Sequence, residues 1–224
     1  MSENKGTPIN IQDSPSKSEK KTLPTNNAID QIEQIIQRRL DSLHKAIAAN
    51  KAVQLSDTAP SLDQLKKYLE ITKDAMEYAK DRYGPSSIPL YYSIHSQPIK
   101  TQDRKEESEY AFYDHSTGTL HTSMLHVAAL SQILGKSSVF VLKGHIGKRV
   151  SPEDSVFLAT VEECHHRDYF SKHPGYKADY KLSREGTDEI ELAWAKELPK
   201  VIKDRKIETF PEGSFSQIKS KRFN

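Results

Sequence analysis

Apolar residues recur along the chain at two different periods, and the switch between them outlines its elements. From Ala28 to Ala49, the residues Ile29, Ile32, Ile36, Leu40, Leu43 and Ile47 return at spacings of three and four, the pattern of a helix with one apolar stripe. Asn27 stands where a cap is wanted and Asp30 falls in the first turn. The stripe must pack either on the domain or against another helix. Thr58-Ala59-Pro60 then breaks the chain. Ser61 and Gln64 form a capping-box pattern ahead of a second helix, lined by Leu65, Leu69, Met76, Ala79 and Tyr83 and stopped at Gly84-Pro85.

The middle of the chain abandons the helical period. Ile88–His95 reads as a strand, and Tyr110–Asp114 and Thr119–Thr122 read as two more, joined across Ser116-Thr117-Gly118 in an antiparallel hairpin. Met124–Leu134 reads as a short helix ended by Gly135, and Ser138–Lys143 as a buried strand. Ser151-Pro152-Glu153-Asp154 supplies a capping hydroxyl, a first-turn proline and two acids, which starts a helix expected to reach about Phe170. His173-Pro174-Gly175 interrupts it. A last helix is expected from near Thr187-Asp188 to Leu198, where Pro199 ends or kinks it. No internal repeat is present.

Composition changes this picture mainly at the ends. The mean hydropathy is −0.72, and no aromatic residue precedes Tyr68. Residues 1–25, rich in Ser, Lys, Asn, Thr and Pro, bury too little surface to offset their ordering entropy and are expected to be a disordered arm. Residues 26–60 form the striped helix and a linker, 61–210 an α+β domain, and 211–224 a basic tail ending near Lys219-Ser220-Lys221-Arg222. Thirty-three Lys+Arg against 31 Asp+Glu are too balanced to argue for nucleic-acid binding. The single cysteine, Cys164, excludes an internal disulfide and a multi-cysteine zinc site. No apolar run is long enough for a bilayer and no signal-peptide stretch opens the chain, so a cytoplasmic, non-membrane protein is the default expectation, with non-classical export left open.

Candidate chemistry is concentrated in Glu162-Glu163-Cys164-His165-His166. Projected at 100° per residue, Val156, Phe157, Leu158, Ala159, Val161, Cys164, Tyr169 and Phe170 cover most of that helix, as befits one central to a core. Ionisable groups in such a helix must pair, hydrogen-bond or bind a metal. Glu162 and His166 are i and i+4 and share a face, so both can reach one divalent ion. Glu163 would sit beside that ion, placed to take a proton from water bound to it.

This arrangement resembles the zincin-like metallopeptidases, whose active-site helix carries His-Glu-x-x-His; here Glu162 stands where the first histidine belongs. The resemblance covers about residues 88–203. It implies an α+β, zincin-like fold: a small antiparallel or mixed sheet packed on the active-site helix and on a downstream glutamate-bearing helix. Asp188–Ala195 resembles that second helix, and Glu191, set in a stripe with Trp194, Ala195, Leu198 and Ile202, is favoured over Glu189 as third ligand. The implied protein is a metal-dependent hydrolase, a peptidase or a descendant of one. Glu162, His166 and Glu191 would hold a divalent metal, zinc first and manganese or iron next because two ligands are anionic. Glu163 would be the general base, and a peptide strand would lie along the sheet edge. The competing expectation is an inactive zincin-like module that binds a protein partner through the arm and the striped helix. Plainer readings stand beside these: i,i+3 and i,i+4 contacts at a helix end for the Glu/His cluster, packing for Cys164, and surface or hydrogen-bonded roles for His95, His115, His121, His126 and His145. Two overlapping Glu-x-x-His spacings also match a di-iron bundle, which the strand-rich middle opposes.

Overall fold

A computed structural model describes residues 27–49, 59–95, 111–123, 140–141, 148–174 and 184–211. The arm, the helix expected over Met124–Leu134 and most of the C-terminal tail lie outside these residues. The described chain is mixed α+β and mostly helical.

Helix α1 (Ala28–Gln34) starts where Asn27 Oδ1 accepts from the amides of Ile29 and Asp30 at 3.0 and 3.3 Å. It continues through a π-helical segment (Ile35–Arg39) into α2 (Leu40–Ala48). The wider turn advances the buried stripe by one position. Ile29, Ile32, Ile35, Leu43 and Ile47 are buried, whereas Ile36 and Leu40, which a regular helix would seat centrally, are only partly so. The stripe packs on α3 (Leu62–Tyr83) within one shared core, which decides between the two placements the sequence left open. Both halves of the capping box form at the start of α3: Gln64 N donates to Ser61 Oγ at 3.2 Å and Ser61 N to Gln64 Oε1 at 2.8 Å. Gly84, at φ +95°, ends the helix in a conformation that other residues rarely adopt.

After a 3₁₀ turn (Pro85–Ser87) come β1 (Tyr91–His95), β2 (Ala111–Asp114) and β3 (Thr119–Ser123). Their order is β1-β3-β2, with β3 antiparallel to β2 and parallel to β1. The expected hairpin is thus present, with Gly118 at φ +71° in its turn and Asp114 accepting from Ser116 N at 2.9 Å. A second small sheet pairs β4 (Phe140–Val141), β5 (Lys148–Val150) and β6 (Phe210–Pro211), all antiparallel. Periodicity alone did not reveal β5 or β6, because two or three residues carry no period.

Both outer strands of the first sheet are closed by a side chain from a helix. At β1, Gln31 spans the edge like a peptide unit: its Oε1 accepts from Tyr92 N and its Nε2 donates to Leu90 O, each at 3.0 Å. Backbone polar groups at a sheet edge need such partners once water is displaced.

Helix α4 (Pro152–Lys172) is capped by Ser151, whose Oγ accepts from Asp154 N at 3.1 Å. It is central, as its all-round apolar surface requires. Val156 and Cys164 join the core shared by α1, α2, α3 and the sheet, while Phe157, Leu158 and Val161 join a second core with Trp194, Leu198 and Val201 of α5 (Arg184–Arg205). Of the two outcomes expected at Pro199, an end to the helix is not what occurs; α5 runs through the proline to Arg205. Its continuation is held by burial of Leu198 and Val201 on either side of the proline and by ion pairs from α3 to Glu197 and Asp204. These contacts offset the cost of an interior proline, which loses a backbone hydrogen bond and crowds the preceding turn, together about 3 kcal/mol.

Between α3 and the sheet lies a buried hydroxyl group of Tyr68, Thr72, Tyr92 and Thr122. Burial pushes the Tyr68 phenol up to about 12, although the hydroxyls of Thr122 and Thr72 pull the other way. A phenol that resists ionisation only when folded stabilises the protein below the ordinary tyrosine pKa of about 10, and that contribution is lost as pH rises from there through the folded value. Thermal melts between pH 9 and about 12 should therefore fall more steeply for wild type than for Tyr68→Phe. Parallel curves would show that Tyr68 does not govern the alkaline limit.

Candidate functional site on helix α4

Helix α4 presents a different neighbour to each of its faces, and the candidate residues are sorted accordingly. One face meets β2. Glu163 Oε2 accepts from the Tyr113 amide at 2.8 Å, Arg167 Nη1 donates to Tyr113 Oη at 2.5 Å, and the Phe170 ring stacks on His115 at 4.9 Å. Glu163, Arg167 and Phe170 follow one another at spacings of four and three, so they form a single stripe laid along the strand. β2 is the other outer strand of its sheet, and the Tyr113 amide points away from β3 to reach the carboxylate. A charge-assisted bond therefore closes this edge as Gln31 closes the first.

The opposite side of α4 meets α3 and α5. The His165 ring lies edge-on to Tyr83 at 5.5 Å and against Trp194 at 5.6 Å. Burial first, and His166 second, push its imidazole down to about 4 against the opposing pull of Glu197 and Asp168, so the ring is neutral near pH 7. Asp168, with its side chain only 7 % exposed, pairs through Oδ2 with Lys172 Nζ at 2.6 Å. Cys164 is wholly buried and its thiol is pushed up by that burial, with a further contribution from the Glu163 charge. It is a packing residue, as expected, with no thiolate character.

Glu162 and His166 lie between these two faces in helical projection and share one side of α4. His166 Nδ1 stands 3.5 Å from Glu163 Oε2, both side chains being 15 % exposed. That separation is an ion pair when the ring is protonated, and it leaves Nε2 as the nitrogen remote from the carboxylate. The third predicted ligand, Glu191, lies on α5 one turn before Trp194, the residue that touches His165. Its side chain, like that of Glu189, is outside the described residues. The stripe used to select Glu191 is real at Trp194 and Leu198, both buried.

Among the described side chains, no three His, Cys, Asp or Glu residues are grouped to hold a metal. The imidazole of His166 and the carboxylate of Glu162, on a common helix face, are donors of the kinds a divalent ion accepts.

Tyr113, Arg167 and Asp168 were not foreseen as members of this neighbourhood, and His165, though part of the cluster, was given no packing partner. The 163/167/170 stripe was visible in the sequence as polar and aromatic residues at helical spacing, and it signals contact with something other than a purely apolar core. Tyr113 carried no such signal, since only the fold brings it to Glu163. Comparison with protein-family models, with curated proteins and with solved structures gives no match. Among the described residues, no helix is long and apolar enough to cross a membrane.

Because Glu163 fastens α4 to β2, Glu163→Ala should lower stability by about 1–3 kcal/mol in denaturant titration and accelerate hydrogen exchange at the Tyr113 amide. Glu163→Gln, which keeps an acceptor oxygen, should retain most of the protection. Equal exchange in all three proteins would mean that the bond does not persist in solution.

Proposed function

We propose that the chain is a zincin-like, metal-dependent hydrolase of the peptidase kind, centred on α4 and α5. The observation that supports this reading is the placement of α4 between an outer strand and the second helix: Glu163 meets β2, His165 meets Trp194, and Glu162 and His166 occupy the sector between. Glu191 then belongs to the turn of α5 preceding that contact. In this reading Glu162, His166 and Glu191 hold a divalent ion, zinc or, with two anionic ligands, manganese or iron, which polarises a carbonyl and acidifies water when bound.

The remaining work belongs to the protein's own groups. Glu163 accepts the proton at its carboxylate and passes it to the leaving amine. The Tyr113 amide is held at Oε2; a turn of the carboxylate toward the substrate would release that amide to donate to the carbonyl of a peptide strand lying along β2. Base and strand-docking group are thus exchanged in one movement. His165, neutral and packed between Tyr83 and Trp194, fixes the rotation of the helix that carries them.

A second reading, the inactive module that binds a protein partner, draws on one specific observation. The Glu163 carboxylate is engaged by both the Tyr113 amide and His166, an employment that holds the fold together without any chemistry. Of the two partner surfaces considered for it, the isoleucine stripe of α1 and α2 is buried in the core, which leaves the N-terminal arm.

Elemental mass spectrometry of the purified protein separates the two. Near-stoichiometric metal that disappears in a Glu162→Ala/His166→Ala variant, with peptide hydrolysis reduced about 10²–10⁴-fold in Glu163→Gln, is the outcome expected of the hydrolase. Absence of metal, together with a melting temperature indifferent to added zinc or manganese, would sink that reading and turn attention to a partner bound through residues 1–25.

A further inference from the structure

The end of α3 is tied to α5 at points that also touch α4. Arg82 donates from Nε to Glu197 Oε1 at 2.5 Å and from Nη1 to Asp204, seven residues further along α5. Residues seven apart lie on one face of a helix, so one guanidinium grips two successive turns of α5 and fixes both its rotation and its axial position. Tyr83, next in sequence, donates its hydroxyl to the same Glu197 oxygen at 3.4 Å while its ring packs on His165. Lys200 completes the set, pairing with Glu197 Oε2 at 2.9 Å. Glu197 is only 14 % exposed; burial opposes its charge, and the bonds from Lys200 and Arg82 overcome this and hold the carboxyl below its usual range. The adjoining pair Arg205–Asp74 also joins α5 to α3, but it makes none of these contacts with Tyr83 or His165.

We infer that Glu197 is a positioning residue: through Arg82 and Tyr83 it sets the rotation of α5 against α4, and so the place of Glu191 relative to Glu162 and His166. The inference rests on the metal-site reading of those three residues. A one-residue change in the rotation of α5 turns every side chain on it by about 100°, which is enough to carry a ligand out of reach. The ion pair therefore acts on the site at a distance, without touching metal or substrate. An Arg–Glu pair whose acceptor also binds a tyrosine, and whose arginine also spans two turns, is restrained in a way that a simple exposed pair is not.

The chain contains one tryptophan, Trp194, and it lies in the contact to be tested, three residues before Glu197. Its emission reports the seating of α5 on His165 independently of any metal. Titration calorimetry with zinc and with manganese, run beside fluorescence, should show that Glu197→Ala weakens metal binding at least tenfold and shifts Trp194 emission to the red while circular dichroism stays that of a folded protein. Glu197→Gln, which keeps an oxygen for Arg82 and Tyr83, should recover most of both signals. Asp74→Ala, which cuts a separate α3–α5 tie, should change stability but neither metal affinity nor emission. Wild-type affinity and emission in Glu197→Ala, or equal losses in Asp74→Ala, would overturn the positioning role. If wild type itself binds neither ion, the hydrolase reading fails, and the positioning of Glu191 as a ligand fails with it; a red shift confined to Glu197→Ala would then leave Glu197 as the residue that seats α5 on α4 and nothing more.

Discussion

A helix that is apolar around most of its circumference has to be covered around most of its circumference, and α4 imposes that demand on everything near it. Val156 and Cys164 need the core made by α1, α2, α3 and the sheet, and Phe157, Leu158 and Val161 need the core made with α5. Its remaining side, where Glu163, Arg167 and Phe170 lie, needs partners of a different kind and finds them in the backbone, phenol and imidazole of β2 and its turn. The polar residues of α4 are therefore deployed where an apolar neighbour is missing. Burying a carboxylate at such a place is tolerable because a backbone amide and an imidazole face it. The placement of the candidate site follows from the packing problem posed by one helix.

The two sides of α4 are held by different means. Toward β2 the ties are few and directional, one charge-assisted bond from Glu163 and one from Arg167. Toward α5 they are broad: a buried apolar layer, with α5 itself tied to α3 by Arg82 through Glu197 and Asp204. An apolar layer resists separation but permits sliding, whereas a guanidinium fixed at two points resists sliding. The combination suits a pair of helices whose relative rotation matters.

The elements with strong local signals were readable directly. Asn27, Ser61 with Gln64, and Ser151-Pro152 each begin a helix where their chemistry requires, and Gly84 and Gly118 fall where positive φ is needed. The centrality of α4 and the packing role of Cys164 also followed from the residues alone. What could not be read was the outcome of competition between local preference and tertiary contact. Pro199 carries a strong local instruction to stop, and burial of Leu198 and Val201 with the ion pairs to α3 overrides it. The π segment at 35–39 shifts the buried stripe by one residue for the same reason, since the core decides which isoleucine it accepts. At the site, the shared face of Glu162 and His166 is a property of one helix and was legible. The bond from Tyr113 to Glu163, and the contact of His165 with Trp194, join residues far apart in sequence and required the fold.

Gln31 and Glu163 together leave the three-stranded sheet with no open border where they bind. A foreign strand arriving at Tyr92 or Tyr113 meets an amide already served by a group of the same molecule, tethered at high effective concentration. It must outbid that occupant before it gains anything. Casual pairing between copies, the route by which small sheets aggregate, is disfavoured at both sides without any charge repulsion being needed. The two sides are unequal in one respect. Gln31 is a neutral amide that replaces a peptide group with its own donor and acceptor, whereas Glu163 offers only an acceptor and carries a charge that can be drawn elsewhere. Of the two borders, only the one at β2 can be opened by changing the electrostatics around a single residue, and selectivity for whatever strand is admitted there would begin with the means of moving that charge.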